Sequence, residues 1–139
     1  MRKEFSTSWI SSSQPRKQRK YLHNMPLHLK NSLMSSHLSK ELRLKYKMRN
    51  VPVRTGDEVL VMRGGSAKKK GKVIGVDLKK GRVKIEGLTR SKKDGSKVPI
   101  LFRAHALQIV SLYMEDKKRL KHLNSKEEKK HASNKSTNA

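Results

Sequence analysis

Between residues 51 and 112 apolar and polar positions alternate with period two, whereas no such run recurs on either side. Val59 and Val61 alternate with Leu60 and Met62, and Val83 and Ile85 sit between Arg82, Lys84 and Glu86. The pattern predicts five strands, over 58–62, 72–77, 82–87, 97–102 and 107–112. Turn residues separate them: Gly64-Gly65, then Lys79-Lys80-Gly81, then Asp94-Gly95, a pair suited to a hairpin that needs positive φ. Five short strands in about sixty residues predict a small barrel, because one flat sheet of that size leaves an apolar face uncovered. Pro99 has no ladder donor and is expected at an edge or a bulge.

The first fifty residues carry a different pattern. Asn24-Met25-Pro26 is suited to start a short helix near 26–33, with Met25, Leu29 and Leu33 spaced by four along one side. Ser39 is placed to cap a second helix near 39–46, with Leu38, Leu42 and Tyr46 on one face and Lys40, Arg43, Lys45 and Lys47 facing outward. Residues 6–20 hold six serines and threonines before Pro15-Arg16-Lys17-Gln18-Arg19-Lys20, too little apolar content to fold alone, and are expected to order on a partner. Beyond Asp116 a helix through Leu120 and Leu123 is expected, then a polar tail from Ser125 to Ala139. The division is therefore a basic N-terminal extension over 1–50, a barrel over 51–112 and a partly disordered C-terminal helix and tail over 113–139.

Charge decides what such a chain binds. Lys and Arg number 35 against 11 acidic residues, a net +24 over 139 residues. The three segments carry +10, +10 and +4 in turn. Self-repulsion of that size opposes an isolated compact state and favours a polyanion, of which nucleic acid is the first choice. An anionic membrane is the rival, but it calls for a basic amphipathic helix with a strong apolar face or a lipid-anchor signal, and neither is evident. No apolar run approaches the roughly 20 residues of a membrane span, and Met1-Arg2-Lys3 leads into polar sequence, so a soluble, cytosolic chain is expected. Without cysteine there is no disulfide framework, Cys-type zinc site or thiol nucleophile.

Catalysis finds little support. The acidic residues occur mainly as adjacent pairs, Asp57-Glu58, Glu115-Asp116 and Glu127-Glu128, and neighbours on a strand point to opposite faces, which makes no acid/base dyad. His23, His28, His37, His105, His122 and His131 lack the spacing of a helical metal site. Gly64-Gly65-Ser66 is not followed by the Gly-Lys-Ser/Thr of a phosphate loop, nor by a helix. No enzyme, cofactor or metal is expected.

The turns instead collect cations. Arg63, Lys68, Lys69, Lys70 and Lys72 gather at the first, Lys79 and Lys80 at the second, and Arg90, Lys92, Lys93 and Lys97 around the third. In a meander successive turns alternate between barrel ends, which gives two charged poles. Arg16, Lys17, Arg19 and Lys20 extend the basic surface into the N-terminal segment, where Trp9 and Tyr21 are suited either to stack on exposed bases or to pack against protein. Such cations supply affinity by counterion release and little sequence readout.

Gly56-Asp57-Glu58-Val59-Leu60-Val61, with Arg63-Gly64 and Gly71-Lys72-Val73, resembles the KOW motif, which occurs in ribosomal proteins and in transcription elongation factors. The stretch Met34-Ser35-Ser36-His37-Leu38-Ser39-Lys40-Glu41-Leu42-Arg43-Leu44-Lys45-Tyr46 and Arg49-Asn50-Val51-Pro52-Val53-Arg54 resembles the N-terminal extension of one KOW family. This is the universal large-subunit ribosomal protein family called L-twenty-four in bacteria and L-twenty-six in eukaryotes, in its archaeal and eukaryotic branch. The likeness spans roughly residues 15 to 120.

The resemblance implies an SH3-like barrel and a structural role in the cytosolic large ribosomal subunit. It implies binding to large-subunit ribosomal RNA, neighbouring ribosomal proteins as partners, support of early assembly, and a place near the polypeptide exit where exit-site factors are further candidates. No membrane insertion and no homo-oligomer are expected, and a eukaryotic source would add nuclear or nucleolar passage. By the same likeness Arg54, Arg63, Lys70 and Lys72 are RNA contacts, Val59, Val61, Val73, Ile74 and Val76 are core or sheet positions, and Gly56, Gly64 and Gly71 shape turns; Arg43 and Arg49 in the basic extension are further RNA-binding candidates. The family usually has Lys-Gly where this chain has Ala67-Lys68, which puts a side chain where positive φ is expected unless Gly65 takes over the turn. The alternative reading is a KOW-type transcription elongation or general RNA-binding factor.

Overall fold

A computed structural model describes residues 3–117 together with Arg119 and Leu123. Seven strands form one bent sheet in the order β2-β1-β7-β3-β4-β5-β6. In chain order they are β1 Ser35–Leu38, β2 Asn50–Pro52, β3 Glu58–Val61, β4 Lys70–Asp77, β5 Arg82–Ser91, β6 Lys97–Phe102 and β7 Leu107–Ser111. The mainly β architecture expected from the alternation is thus present, consistent with the SH3-like barrel that the resemblance implies, and five of its strands lie close to the predicted positions.

The strand β4 carries the bend. Its first residues pair with β3, Glu58 opposite Lys72 and Leu60 opposite Lys70, while Val73 to Asp77 pair with β5 with a register shift between Val73 and Gly75. A bulge of this kind sharpens twist and lets one strand serve two sheet segments. At the crossing a Cβ on Gly71 would stand 2.6 Å from Cγ2 of Ile85 and 3.0 Å from the carbonyl oxygen of Glu86. Gly71 therefore lies inside a strand, and close approach of two strands, not a turn, is what excludes a side chain there.

Two strands lie where the sequence predicted none. β1 pairs antiparallel with β2 and parallel with β7, so Ser35–Leu38 from the basic extension sits inside the sheet. Ser-Ser-His-Leu has no β-branched residue to announce a strand. Its inward positions are nonetheless filled: Leu38 is fully buried, and the Ser36 hydroxyl donates to the carbonyl of Ala104 at 2.5 Å. Around it the core comprises Val59, Val61, Val73, Val83, Ile85, Leu107 and Ile109, each about 1.5–3 kcal/mol of burial. Ile74 points outward and is largely exposed. Pro99 lies on β6, an edge strand, as expected.

The helices are α1 Pro15–Asn24, α2 Leu27–Leu33 and α3 Lys40–Tyr46. α2 and α3 match the predicted pair; the Ser39 side chain accepts the Leu42 N–H at 3.4 Å, and Tyr46 is buried. α1 is a helix that the sequence did not predict. Pro15 starts it at a position where a missing N–H is harmless, and Gln18 Nε2 donates to the carbonyls of Trp9, Ile10 and Ser12, holding a preceding 3-10 turn over Thr7–Ser11. Phe5 stacks on Tyr21 at 5.3 Å between ring centres, and Tyr21 is buried. Polar ties and one aromatic pair hold the segment where apolar content is low. The predicted polar tail from Ser125, and Leu120, lie outside the described residues; Lys117, Arg119 and Leu123 are helical, and Leu123 joins the core.

Candidate nucleic-acid interface

Three turns and one helix present the cations. Between β3 and β4, Arg63, Lys68 and Lys69 are exposed on a loop closed by two backbone hydrogen bonds, Lys68 N–H to the Val61 carbonyl at 2.8 Å and Val61 N–H to the Lys69 carbonyl at 2.9 Å. Lys70 and Lys72 belong to β4 and not to the turn, yet both remain exposed, with Lys72 opposite Glu58. Lys68 itself takes φ +67°. Gly64 has φ +92° and Gly65 no positive φ, so Gly65 does not take over the position where the family has glycine. A lysine bears the left-handed conformation instead.

Between β4 and β5, Lys79 and Lys80 are exposed, and the turn is held by the Lys80 N–H donating to Asp77 Oδ1 at 3.0 Å, with Gly81 at φ +63°. Between β5 and β6, Arg90, Lys92, Lys93 and Lys97 project from a hairpin whose residues 91–98 are all exposed. Asp94 organises its tip, accepting the Ser96 N–H at 2.9 Å and hydroxyl at 2.6 Å. The Ser96 hydroxyl and backbone N–H hold the Asp94 carboxyl below its ordinary value. The order β3-β4-β5-β6 is antiparallel throughout, so successive turns alternate in sense as a meander requires.

On α1, Arg16, Lys17, Arg19 and Lys20 are exposed. Lys20 is partly engaged, its Nζ donating to the Lys3 carbonyl at 2.7 Å and lying 5.3 Å from the Trp9 ring centre. Of the two aromatic candidates, Tyr21 packs within the protein and Trp9 sits under that lysine. Arg49 is exposed next to β2. Arg43 does not face freely outward: its Nε donates to the Leu38 carbonyl at 2.8 Å and the residue is half-buried. Arg54 is half exposed and forms an ion pair with Asp116. Lys84 and Arg103 add exposed cations that a reading centred on turns passes over, because they alternate outward on or beside strands.

Sequence reasoning missed what Asp57 does. Its carboxylate is completely buried and fully partnered: Oδ1 accepts the Tyr113 N–H at 3.0 Å and Arg119 at 2.6 Å, and Oδ2 accepts the Arg54 N–H at 2.9 Å and Arg119 at 2.9 Å. Arg119 also donates to the Pro52 carbonyl at 3.0 Å. The paired carboxylates Asp57-Glu58 are thus one structural anchor and one exposed strand residue. The Tyr113 ring covers Gly56, where a Cβ would stand 2.9 Å from two ring carbons, and its hydroxyl donates to Glu115. That hydrogen bond, then burial and the neighbouring negative charge, raise the Tyr113 phenol above its ordinary value. The residues after β7 are in this way fastened to the barrel.

Among the described residues no group of three or more His, Asp or Glu side chains is arranged to hold a metal ion, and no helix is long and apolar enough to cross a membrane. The arrangement offers chemically a set of cationic tips on a rigid β frame, suited to contact phosphates by charge.

Comparison with known proteins agrees with the motif. Proteins described as "Large ribosomal subunit protein uL24" are similar along most of this chain. That of Korarchaeum cryptofilum is 42% identical over 117 residues, covering 84% of this chain and 89% of the relative. That of Methanosphaera stadtmanae is 44% identical over 115 residues, covering 83% and 98%. That of Sulfolobus acidocaldarius is 43% identical over 109 residues, covering 78% and 81%. Residues 12–126 match the family of eukaryotic L-twenty-six and archaeal L-twenty-four ribosomal proteins, to which this chain therefore belongs.

Proposed function

We propose that the chain is a structural constituent of the large ribosomal subunit that binds the subunit's RNA directly through its cationic turns and α1. Membership of a ribosomal protein family makes it a structural component and not an enzyme. The observation that carries the reading is the joint presence of this family match and of exposed cations on every turn of the β3-to-β6 meander. Of the candidate contacts, Arg16, Lys17, Arg19, Arg49, Arg63, Lys68, Lys69, Lys70, Lys72, Lys79, Lys80, Arg90, Lys92, Lys93 and Lys97 have exposed side chains for the purpose. Arg43, Arg54 and Lys20 share theirs with the protein itself. Support of early assembly, a position near the polypeptide exit and packing against neighbouring ribosomal proteins complete the reading. A transcription elongation factor leaves the match over residues 12–126 without a reason.

Two measurements test it. In sedimented lysate the protein travels with large subunits, and confinement to free or chromatin fractions would sink the assignment. Replacing Lys68, Lys69, Lys70 and Lys72 by Ala lowers affinity for ribosomal RNA and flattens its salt dependence by about 0.7–0.9 in log–log slope for each phosphate no longer neutralised. An unchanged slope removes that loop from the interface.

A further inference from the structure

Where α1 and α2 meet the β4–β5 turn, the surface opens into a pocket of about 190 Å³. Its apolar lining is Leu22 of α1, Leu33 of α2, the buried Met34 and Leu78, and its cationic lining is Lys30, Lys79 and Lys80. Two of the three leucines have no structural need to be apolar: Leu22 is 53% exposed and Leu33 54% exposed. Among the described residues no acidic side chain lines the pocket. The nearest carboxylate in sequence, Asp77, is engaged in holding the Lys80 N–H. Lys30 is half-buried with its Nζ 3.3 Å from the His23 carbonyl, which fixes one wall and leaves ammonium protons for a ligand.

We infer that this pocket receives a single unstacked nucleotide of RNA, with the base on Leu22, Leu33 and Leu78 and the adjoining phosphates on Lys79, Lys80 and Lys30. The inference rests on the RNA-binding reading above and goes beyond it by assigning a base contact, where the turns offer only phosphate contacts. Size supports it. At about 30 Å³ per water the pocket holds roughly six waters, enough for a planar base and below the roughly 300 Å³ at which drug-sized ligand sites begin. Charge supports it as well, since the apolar and cationic side chains of the lining match the two halves of a nucleotide, and a splayed base must leave water for an apolar surface. An apolar side chain of an acidic protein segment would use the same chemistry; Arg19, exposed one turn before Leu22, and the further exposed cations of α1 beyond the pocket favour a continuous phosphate chain over a short acidic patch.

The test uses the full chain, a ten-residue oligoadenylate, and the same oligomer built from abasic ribose phosphates, at equal ionic strength. Wild type binds the oligoadenylate about tenfold more tightly than the abasic oligomer, which corresponds to burying roughly 55 Å² of base surface on the apolar lining. The Leu22→Ser, Leu33→Ser double variant brings the ratio near one and leaves abasic affinity unchanged; both side chains are more than half exposed, so folding is preserved. Equal binding of the two oligomers by wild type, or a preference that survives in the double variant, overturns the pocket assignment while leaving phosphate binding intact. Methyl signals of Leu22, Leu33 and Leu78 that respond to an acidic apolar peptide and not to oligoadenylate overturn it in favour of a protein occupant. Failure of wild type to bind either oligomer overturns the underlying RNA reading too.

Discussion

Lys68 holds a left-handed backbone conformation, φ +67°, at the position where the family usually carries glycine. It cannot relax away from it, because its own N–H is tied to the Val61 carbonyl at 2.8 Å and the next residue's carbonyl accepts from Val61 in return. For a residue with a Cβ that conformation costs about 1–2 kcal/mol. Glycine removes the cost but loses more chain freedom on folding, about 0.5–1 kcal/mol. Lys68→Gly should therefore be more stable than Lys68→Ala by about 0.5–1 kcal/mol. The comparison with alanine matters because both variants remove one charge from the Lys68-Lys69-Lys70 run, so repulsion cancels and backbone strain remains. In urea, with a slope of about 1–3 kcal/mol per molar, the midpoint of Lys68→Gly lies about 0.2–1 M above that of Lys68→Ala at equal slope. Equal midpoints would refute the strain argument, and a lower midpoint for glycine would mean that freedom of the unfolded chain outweighs it.

Gly71→Ala should cost about 1–3 kcal/mol in the same assay, since the new methyl meets the buried Ile85 at 2.6 Å; a change below about 0.5 kcal/mol would mean the two strands separate easily. Asp57→Ala leaves the Arg119 guanidinium buried without its carboxylate and should cost about 3–5 kcal/mol, while adding Arg119→Met recovers part of that cost; strictly additive effects would argue against the pair. Asp94 should titrate below the ordinary 3.8 of an aspartate by carboxyl NMR, and Ser96→Ala should return it toward that value. Because the folded value is the lower one, the tip's contribution to stability is present above about pH 4 and disappears as pH falls through the folded value; a titration unchanged by Ser96→Ala contradicts the assignment.

The strands that alternate apolar with polar residues are legible in the sequence, as are the two capped or proline-initiated helices, because each carries a local signal that tertiary structure does not override. β1 is not, since its inward residues are a serine and a leucine and its stability lies in partners about seventy residues away. α1 and the turn before it are illegible for a related reason: Gln18, Lys20 and Asn24 donate to backbone carbonyls of residues 3–12, a kind of order that hydrophobic pattern does not report. Composition and turn residues locate most of the exposed cations. They do not tell which are already engaged, so Arg54 and Arg43 look equivalent to Arg63. Asp57 is visible as part of a motif, but its burial depends on Arg119, beyond the barrel strands.

The parallel pairing of β1 with β7 sets a schedule for the newborn chain. His37 lies opposite Gln108, 71 residues later. At about 5–20 residues per second, roughly 4–14 s of synthesis separate the two. Through that interval β1 has only β2, reached through α3, as a strand partner, and the wait for β7 falls on a strongly basic part of the chain. Because so distant a contact also slows closure once both strands exist, α1 and its cations are free to meet a polyanion before the barrel that will carry them is complete.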